Sequence, residues 1–342
     1  MNEIRVAVVG FGTMGRLYAN ILSQMEGVSL TAICSSSAES RLEAASLGAL
    51  RFDSLDELIQ EKIPLDAVVL ALPTYLHKTY AVAAAEKGLH IICEKPAALT
   101  AEDTEEMIEA CRRNGVCLLV GHVLRFFPDY ARLSERVSKG EAGPIITAHA
   151  KRYSLHPPSD SWFEDDTKSG GVLFDLMIHD IDYLHSLMGE AESVYAVIRK
   201  SPGVQYAAAV LRFENGTVAN LEAMWGYAGP FTSSLEVTGK DGMLRADNEA
   251  YKLAVSRGAV AAHSQRNEGV AIPQGEPADD PYRLELEHFI ECIRTGAEPI
   301  VTARDAGRAV ATACAALESA WLGRPIKPQR LRQSTSALHV KD

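Results

Sequence analysis

A chain of 342 residues is long enough for two domains. Hydrophobic residues make up 47% of the chain and charged residues 23%, a balance that is typical of globular proteins. The net charge of −11 argues against a general nucleic-acid or anionic-membrane partner, since both require a basic face. No apolar run reaches the ~18 residues of a membrane span. No signal peptide precedes the first predicted strand, so we expect a cytoplasmic protein.

The chain opens with a predicted strand, a glycine turn and a helix. The apolar run Val6–Val9 leads directly into the motif G-x-G-x-x-G, which comprises Gly10, Phe11, Gly12, Thr13, Met14 and Gly15. Gly10 permits a tight turn, Gly12 lets a pyrophosphate approach the backbone, and Gly15 lets helix and strand pack closely. The amides at the helix start face the anion. The pattern predicts a nicotinamide or flavin nucleotide site.

Strand and helix patterns alternate through the first third of the chain. Strands are predicted at Leu30–Cys34, Ala67–Leu72, His90–Cys93 and Val116–Val120, and helices at Ala38–Leu47, from Ser54, at Ala81–Lys87 and from Thr100 to Arg113. Repeated strand–helix units imply a parallel sheet with right-handed crossovers. The sequence therefore predicts an α/β fold that begins with a doubly wound, Rossmann-type dinucleotide-binding domain over residues 1–121.

Residues 122–342 have a different pattern. Strands are predicted at Ile145–Ala150, Ala207–Phe213, Val218–Trp225, Leu235–Thr238 and Met243–Ala246, and helices at Gly171–Met188, Tyr282–Arg294 and Thr302–Leu322. The Asn215-Gly216 turn favours a hairpin. We expect an α/β domain with a large, mostly antiparallel open sheet, a loop over residues 256–279, and C-terminal helices able to pack back on the first domain. One sheet face needs cover, which predicts a homodimer or homotetramer.

The cofactor depends on the residues after the second strand. In the NAD pattern an Asp or Glu lies about 20 residues beyond the glycine turn and binds the ribose diol. Ser35, Ser36 and Ser37 stand there instead, and the first carboxylate is Glu39. These hydroxyls, with Arg41 one helical turn further on, favour a 2′-phosphate and hence NADP over NAD. The alternative is that Ser37 merely caps the next helix.

Two strand ends carry further candidates for cofactor contact. Leu72-Pro73 and Glu94-Lys95 end predicted strands, at the edge where ligands bind in such folds. Lys95 is also a candidate donor to a substrate hydroxyl, with a solvated surface charge as the alternative. Pro96 favours a turn and permits a cis peptide bond. His77 is a candidate cofactor contact or a polar residue at a helix start.

A helix in the second domain carries a carboxylate and an imidazole at helical spacing. Asp175 and His179 are four residues apart, so their side chains share a face. A carboxylate orients a neighbouring imidazole and raises its basicity, so His179 can take a hydroxyl proton near neutral pH. The alternative is a surface ion pair. With no third ligand evident, we expect no metal. Asp182 and His185 are interpreted as structural.

Three more residues are candidate substrate contacts. Arg125 lies at the domain junction and contacts substrate or ties the domains together. His156 and Trp162 belong to a proline-containing loop and either wall a sugar site or pack within the loop. The six cysteines form no C-x-x-C pair, which favours reduced, buried thiols without a disulfide framework or zinc site.

Together these motifs resemble the glucose-fructose oxidoreductase/inositol dehydrogenase/rhizopine catabolism (Gfo/Idh/MocA) family over nearly the whole chain. The resemblance rests on the glycine turn, Glu94-Lys95-Pro96, Arg125-Phe-Phe-Pro, the Asp175-x-x-x-His179 helix and the closing Gly323-Arg-Pro. It implies a Rossmann domain, an oligomerising open sheet, and oxidation or reduction of a secondary alcohol of a sugar or cyclitol with NAD or NADP. Lys95 matches the family's catalytic lysine. Asp175 and His179 match the acid and histidine of inositol-dehydrogenase-type members. Ser35 departs from the Asp of many NAD-using members.

The resulting hypothesis is a dehydrogenase. His179, held by Asp175, removes the hydroxyl proton while Lys95 hydrogen-bonds the same oxygen. Two alternatives are an NAD-dependent glycosidase of the same fold and a non-catalytic nucleotide-sensing regulator. The substrate itself, whether inositol, a free aldose, a sugar phosphate or a nucleotide sugar, is left open by the sequence.

Overall fold

The first domain is built on a six-stranded parallel sheet. The computed structural model describes residues 3–37, 40–248 and 280–332, without the Arg41 side chain. The strands are β1 (Ile4–Val9), β2 (Val28–Cys34), β3 (Leu50–Phe52), β4 (Ala67–Leu70), β5 (His90–Glu94) and β6 (Leu118–Gly121). The helices are α1 (Thr13–Ser23), α2 (Ser40–Ser46), α3 (Leu55–Gln60), α4 (His77–Ala85) and α5 (Ala101–Asn114). The strand order β3-β2-β1-β4-β5-β6 confirms the predicted doubly wound sheet.

Local sequence signals account for several boundaries in this domain. The Ser54 hydroxyl accepts the Glu57 amide at the start of α3, and Thr100 accepts the Asp103 amide at the start of α5. Gly115 ends α5 in the left-handed conformation, at φ 67°. The free thiols of Cys34, Cys93 and Cys111 are buried in this domain.

The second domain carries a mixed sheet. Its elements are α6 (Pro128–Ser138), β7 (Ile145–Ser154), α7 (Asp166–Ser169), α8 (Ile178–Met188), β8 (Ala191–Ser201), β9 (Val204–Phe213), β10 (Val218–Trp225), β11 (Thr232–Gly239), β12 (Met243–Asp247), α9 (Pro281–Thr295) and α10 (Ala303–Leu322). The strand order is β12-β11-β7-β10-β9-β8. Among the described strands of this sheet, only the β7–β10 pair is parallel, which confirms a mostly antiparallel sheet.

Helices cover one face of the second sheet and bury the domain's core. Phe174 and Ile181 pack there with Leu221 of β10 and Val310 of α10. Helix α9 belongs elsewhere, since its Phe289 packs into the cluster beside β1 and α1. The C-terminal helices therefore do contact the first domain. Within the described ranges, no helix has the length and apolar character needed to cross a bilayer.

Several elements differ from the predictions. Strands β3 and β8 and helix α6 were not predicted, and β7 extends to Ser154 rather than Ala150. The helix predicted over residues 171–188 begins as a π-helical turn, Leu173–Met177, before α8. The predicted loop over residues 256–279 and the tail beyond residue 332 lie outside the described residues, as does the start of the helix predicted from Ala38.

Candidate active site

A cleft of about 570 Å³ lies between the glycine turn and the second sheet. The first domain contributes one wall through the glycine turn and the ends of β4 and β5, and the second domain contributes the other. Thirteen of the predicted site residues line this cleft: Gly10, Phe11, Gly12, Thr13, Met14, Leu72, Pro73, Glu94, Lys95, His156, Trp162, Asp175 and His179. The two domains thus bring the predicted cofactor and substrate residues together.

The glycine turn has the steric form that a dinucleotide requires. Gly10 has φ +91°, and a Cβ on it would lie 2.3 Å from the Ala71 carbonyl oxygen. A Cβ on Gly15 would lie 2.0 Å from the Gly10 carbonyl oxygen, so α1 can approach β1 only without a side chain there. A Cβ on Gly12 would meet nothing within 4 Å. The open backbone at Gly12, before the amino end of α1, fits a pyrophosphate.

Lys95 reaches across the cleft to the second domain. Its amine donates to the Asp175 backbone carbonyl at 2.7 Å and to Asp175 Oδ1 at 2.9 Å. The side chains of Lys95 and Asp175 are only 14% and 11% exposed, so Lys95 is not a solvated surface charge. The other carboxylate oxygen of Asp175 accepts the Trp225 indole N–H at 3.0 Å. Lys95 also precedes a cis peptide bond to Pro96.

The expected contact between Asp175 and His179 is absent from the described part of the chain, which corrects the prediction. Asp175 lies in the π-helical turn, where the wider spacing changes its position relative to His179. Its oxygens are bound by Lys95 and Trp225 instead. The Asp175 carboxylate therefore holds the amine and not the imidazole.

The expected rise in His179 basicity is also wrong. Burial disfavours the imidazolium, and the charges of Lys95 and Arg152 repel it, so the pKa of His179 lies well below 6.5. His179 is therefore a neutral imidazole at pH 7. Its ring lines the cleft.

A group of buried acids lies beneath the Lys95 backbone. The Glu94 carboxylate accepts the Tyr18 hydroxyl and, at 3.0 Å, the Lys95 amide. Glu285 of α9 is 1% exposed, and neither of its oxygens has a hydrogen-bond partner among the described residues. Burial raises the pKa of Glu94 and places that of Glu285 well above its ordinary value. A buried, unpaired carboxyl of this kind is protonated at neutral pH.

His77 takes the second of its two predicted roles, a polar residue at a helix start, and it is not among the residues that line the cleft. Its side chain is fully buried, with Nδ1 2.9 Å from the Pro96 carbonyl oxygen and Nε2 2.8 Å from the Leu72 carbonyl oxygen. Because α4 starts at His77, four residues before the predicted start, the ring points into the protein between the two strand-end segments. It joins those segments, each of which lines the cleft.

Arg125 takes the second of its two predicted roles. Its guanidinium donates to Asp182 at 2.6 and 2.8 Å and to the Ile300 carbonyl at 3.0 Å. Both side chains are nearly or fully buried, so Arg125 ties α8 to the segment before α10 and does not face a substrate. His185 contacts the Gly189 carbonyl and Thr312, and burial lowers its pKa to about 4. Asp182 and His185 are structural, as expected.

A cationic side chain that was not identified from the sequence, Arg51, lies beside the end of β2. Arg51 of β3 donates to the Ser35 carbonyl at 2.9 Å and pairs with Asp53. The Ser35 hydroxyl accepts the Ser37 amide at 3.3 Å. The Arg41 side chain lies outside the described residues. Only the pairing of β3 with β2, which the sequence did not predict, places Arg51 beside the serines.

Two further residues of the cleft were missed. Arg152 of β7 forms a buried bidentate pair with Asp180 at 2.9 and 2.8 Å. Trp225 ends β10 and is held by Asp175. Both lie where neighbouring strands end at the cleft, and a position at the end of a predicted strand was the signal available for Trp225.

The glycine turn, the open backbone and the cross-domain amine define a dinucleotide-dependent oxidoreductase. Two family models match the chain: "Oxidoreductase family, NAD-binding Rossmann fold" over residues 4–122 and "Oxidoreductase family, C-terminal alpha/beta domain" over residues 134–327. The chain belongs to the Gfo/Idh/MocA oxidoreductase family.

Similar proteins support this assignment. The chain is 30% identical to a myo-inositol 2-dehydrogenase of Thermotoga maritima, over 95% of the chain and 98% of the relative. It is 31% identical to a 2,7-anhydro-N-acetylneuraminate hydratase of Escherichia coli, over 66% of the chain but only 62% of the relative. The crystal structure of GenD2 from gentamicin A biosynthesis, in complex with NAD, superposes with a TM-score of 0.85 at 25% identity, covering 96% of this chain and 97% of that one.

Proposed function

We propose that this protein is an NAD(P)-dependent dehydrogenase that transfers hydride between the nicotinamide and a secondary alcohol of a sugar or cyclitol. The observation that carries the proposal is the shared cleft: the Lys95 amine of the first domain and the His179 imidazole of the second line one cavity next to the glycine turn. Similarity to a myo-inositol 2-dehydrogenase over nearly the full length of both chains supports the substrate class.

The cleft residues of the first domain fit a nicotinamide dinucleotide. Gly12 and the start of α1 would hold the pyrophosphate, and Leu72, Pro73 and Glu94, which line the same cleft, would lie towards the nicotinamide end. When bound, the nicotinamide supplies the hydride chemistry. Proton transfer and charge stabilisation are carried out by side chains of the protein.

His179 of the second domain and Lys95 of the first domain act together in the proton transfer. His179 is neutral at pH 7, so one ring nitrogen can accept the proton of the substrate hydroxyl. Lys95 donates to the same oxygen and stabilises the negative charge that develops there. Asp175, through Oδ1 and its backbone carbonyl, fixes the direction of the amine. In the reverse reaction His179 returns the proton.

Substitution of His179 and of Lys95 tests these roles. We expect His179→Ala and Lys95→Met each to slow turnover by about 10²- to 10⁴-fold, the usual contribution of acid–base help. Lys139→Met is the matched control for Lys95→Met and should retain full turnover, because the Lys139 side chain is 61% exposed just after α6. Near-normal turnover of His179→Ala would remove that residue from the proton transfer.

The proposal includes a preference for NADP. Ser35 replaces the acid that binds a ribose diol, and the Arg51 guanidinium lies beside it. We expect kcat/KM to be higher with NADP than with NAD, and Arg51→Gln to reduce the NADP value selectively. A clear NAD preference in the wild-type protein would show that these residues do not bind a 2′-phosphate.

A homo-oligomer formed through the second sheet is also part of the proposal. Helices cover one face of that sheet, while Tyr195, Val197 and Val210 on the other face are 40–48% exposed. A second copy of the chain would cover these apolar side chains. Light scattering at micromolar concentration should show a dimer or tetramer, and a monomer there would contradict the expectation.

A second candidate reaction returns the cofactor to its starting state. Transient oxidation of a sugar, with cleavage or hydration as the net result, uses the same amine and imidazole. Similarity to a 2,7-anhydro-N-acetylneuraminate hydratase supports this candidate. Net production of reduced cofactor from a simple polyol favours the dehydrogenase, whereas conversion of the sugar without net reduction favours the second reaction.

A further inference from the structure

A row of aromatic side chains, here called the aromatic wall, lines the cleft beside the Lys95–Asp175 pair. Trp225 is hydrogen-bonded to Asp175, which in turn holds Lys95. Phe163 meets the Trp225 ring edge-on, with ring centres 5.9 Å apart. Trp162 stacks on Phe163 at 4.0 Å and an interplanar angle of 28°. Trp225, Phe163 and Trp162 thus form a continuous series of ring contacts that starts beside Asp175 and Lys95.

Polar side chains along this wall are largely engaged with the protein. Arg152 is committed to Asp180 through two hydrogen bonds. The Ser161 hydroxyl donates to the Pro158 carbonyl at 2.6 Å, and the Ser169 hydroxyl donates to the Phe163 carbonyl at 2.9 Å. These side chains offer few free hydrogen-bonding groups to a ligand beside Trp162 and Phe163, so a polyhydroxylated group placed there would leave hydroxyls unpaired.

The mouth of the cleft is apolar as well. Leu155 lines it and is 66% exposed, and Pro157 and Pro158 adjoin it. Exposed apolar side chains at the entrance of a ligand cleft gain from burial by an apolar group of the ligand. The same stretch carries His156, whose ring contacts Trp225 at 5.8 Å and so joins the mouth to the aromatic wall.

We propose that the substrate is a sugar that carries an apolar substituent, an alkyl or aryl glycoside, whose substituent lies on Trp162 and Phe163. The inference rests on the proposed dehydrogenase function. The ring carbinol reacts at Lys95 and His179: its hydride leaves with the two bonding electrons to the nicotinamide, and its proton passes to His179. The substituent is recognised by stacking and does not react.

Matched substrates test the inference. The free, methyl and phenyl forms of β-D-glucose and β-D-galactose, with myo-inositol, are compared by kcat/KM from the absorbance of the reduced cofactor. We expect the phenyl glycoside to exceed the free sugar by about tenfold or more, as for an apolar group in a fitted pocket. Trp162→Ala should bring the phenyl-to-methyl ratio close to one, and Trp162→Phe should retain most of it.

The control is a tryptophan remote from the cleft. Trp321 of α10 is 83% exposed, and Trp321→Ala should leave the phenyl-to-methyl ratio unchanged. A free sugar that is turned over faster than its phenyl glycoside would overturn the inference. A phenyl-to-methyl ratio that is unchanged in Trp162→Ala would overturn it as well. If no sugar reduces the cofactor, the dehydrogenase proposal fails separately. Calorimetry of the binding of phenyl β-D-glucoside and of free glucose then tests the proposal of an apolar substituent. Equal affinities for the two compounds would contradict that proposal.

Discussion

Replacing Asp175 by Asn tests how the reacting amine is held. The carboxylate accepts Lys95 with one oxygen, at 2.9 Å, and the Trp225 indole with the other, at 3.0 Å. An amide has the same shape but only one oxygen, so it cannot accept both donors. With the indole satisfied, the amide N–H₂ would face the ammonium, and Lys95 would retain only its bond to the backbone carbonyl, at 2.7 Å.

The expected loss follows from that single missing bond. A hydrogen bond to a charged group contributes about 1.5–3 kcal/mol. That range corresponds to a decrease of about 10- to 150-fold in kcat/KM. In the proposed reaction Lys95 stabilises charge that develops on the substrate oxygen, so the decrease should fall on kcat rather than on the KM for the cofactor.

Steady-state kinetics with the cofactor and sugar varied separately measure this split, and circular dichroism confirms that the variant is folded. Asp129→Asn provides the matched control, since Asp129 pairs with Arg132 where both side chains are more than 60% exposed. A kcat/KM for Asp175→Asn within twofold of the wild-type value would refute the argument that this carboxylate positions the amine.

Three further outcomes are expected. Glu285→Gln should stabilise the protein increasingly as pH rises above 4.5, by about 1.4 kcal/mol per tenfold difference in proton affinity, because the raised pKa of native Glu285 costs stability there. If denaturation curves of the variant and the wild-type protein differ by the same free energy at pH 5 and at pH 7, this expectation is wrong. Gly12→Ala should fold normally yet lose cofactor affinity, whereas Gly15→Ala should lose both stability and affinity, as calorimetry and thermal melting would show. The rate of oxidation should fall at acid pH with a midpoint well below pH 6.5, because His179 must be neutral to accept a proton. A midpoint at or above pH 6.5 in the pH profile would be inconsistent with the lowered pKa of His179.

Much of the first domain could be predicted from local signals. The capping residues Ser54 and Thr100 and the glycines of the turn each act within a few residues, and each has the predicted place in the structure. Strand β3 was not predicted, however, and α4 begins four residues before its predicted start. Strand β8 was harder to predict. Tyr195 and Val197 are apolar on the face opposite the core, so the expected alternation of polar and apolar residues is masked.

The partners within the site could not be predicted, because they depend on distance in space. Lys95 and Asp175 are 80 positions apart and belong to different domains. The pairing of Asp175 with His179 was inferred from regular helical spacing, but the π-helical turn at Leu173–Met177 breaks that spacing without a visible sequence signal. For His77 the sequence left two roles open, and only the position at which α4 starts decides between them.

The bond from Lys95 to Asp175 joins two bodies that were drawn from separate stretches of chain. Lys95 and Asp175 therefore keep a fixed position relative to each other only while the two domains keep theirs. A rotation between the domains that lengthened this bond would also change the distance from the amine to His179, because Asp175 and His179 belong to the same domain. The alignment of the two groups proposed to act on the substrate is thus coupled to the packing between the domains.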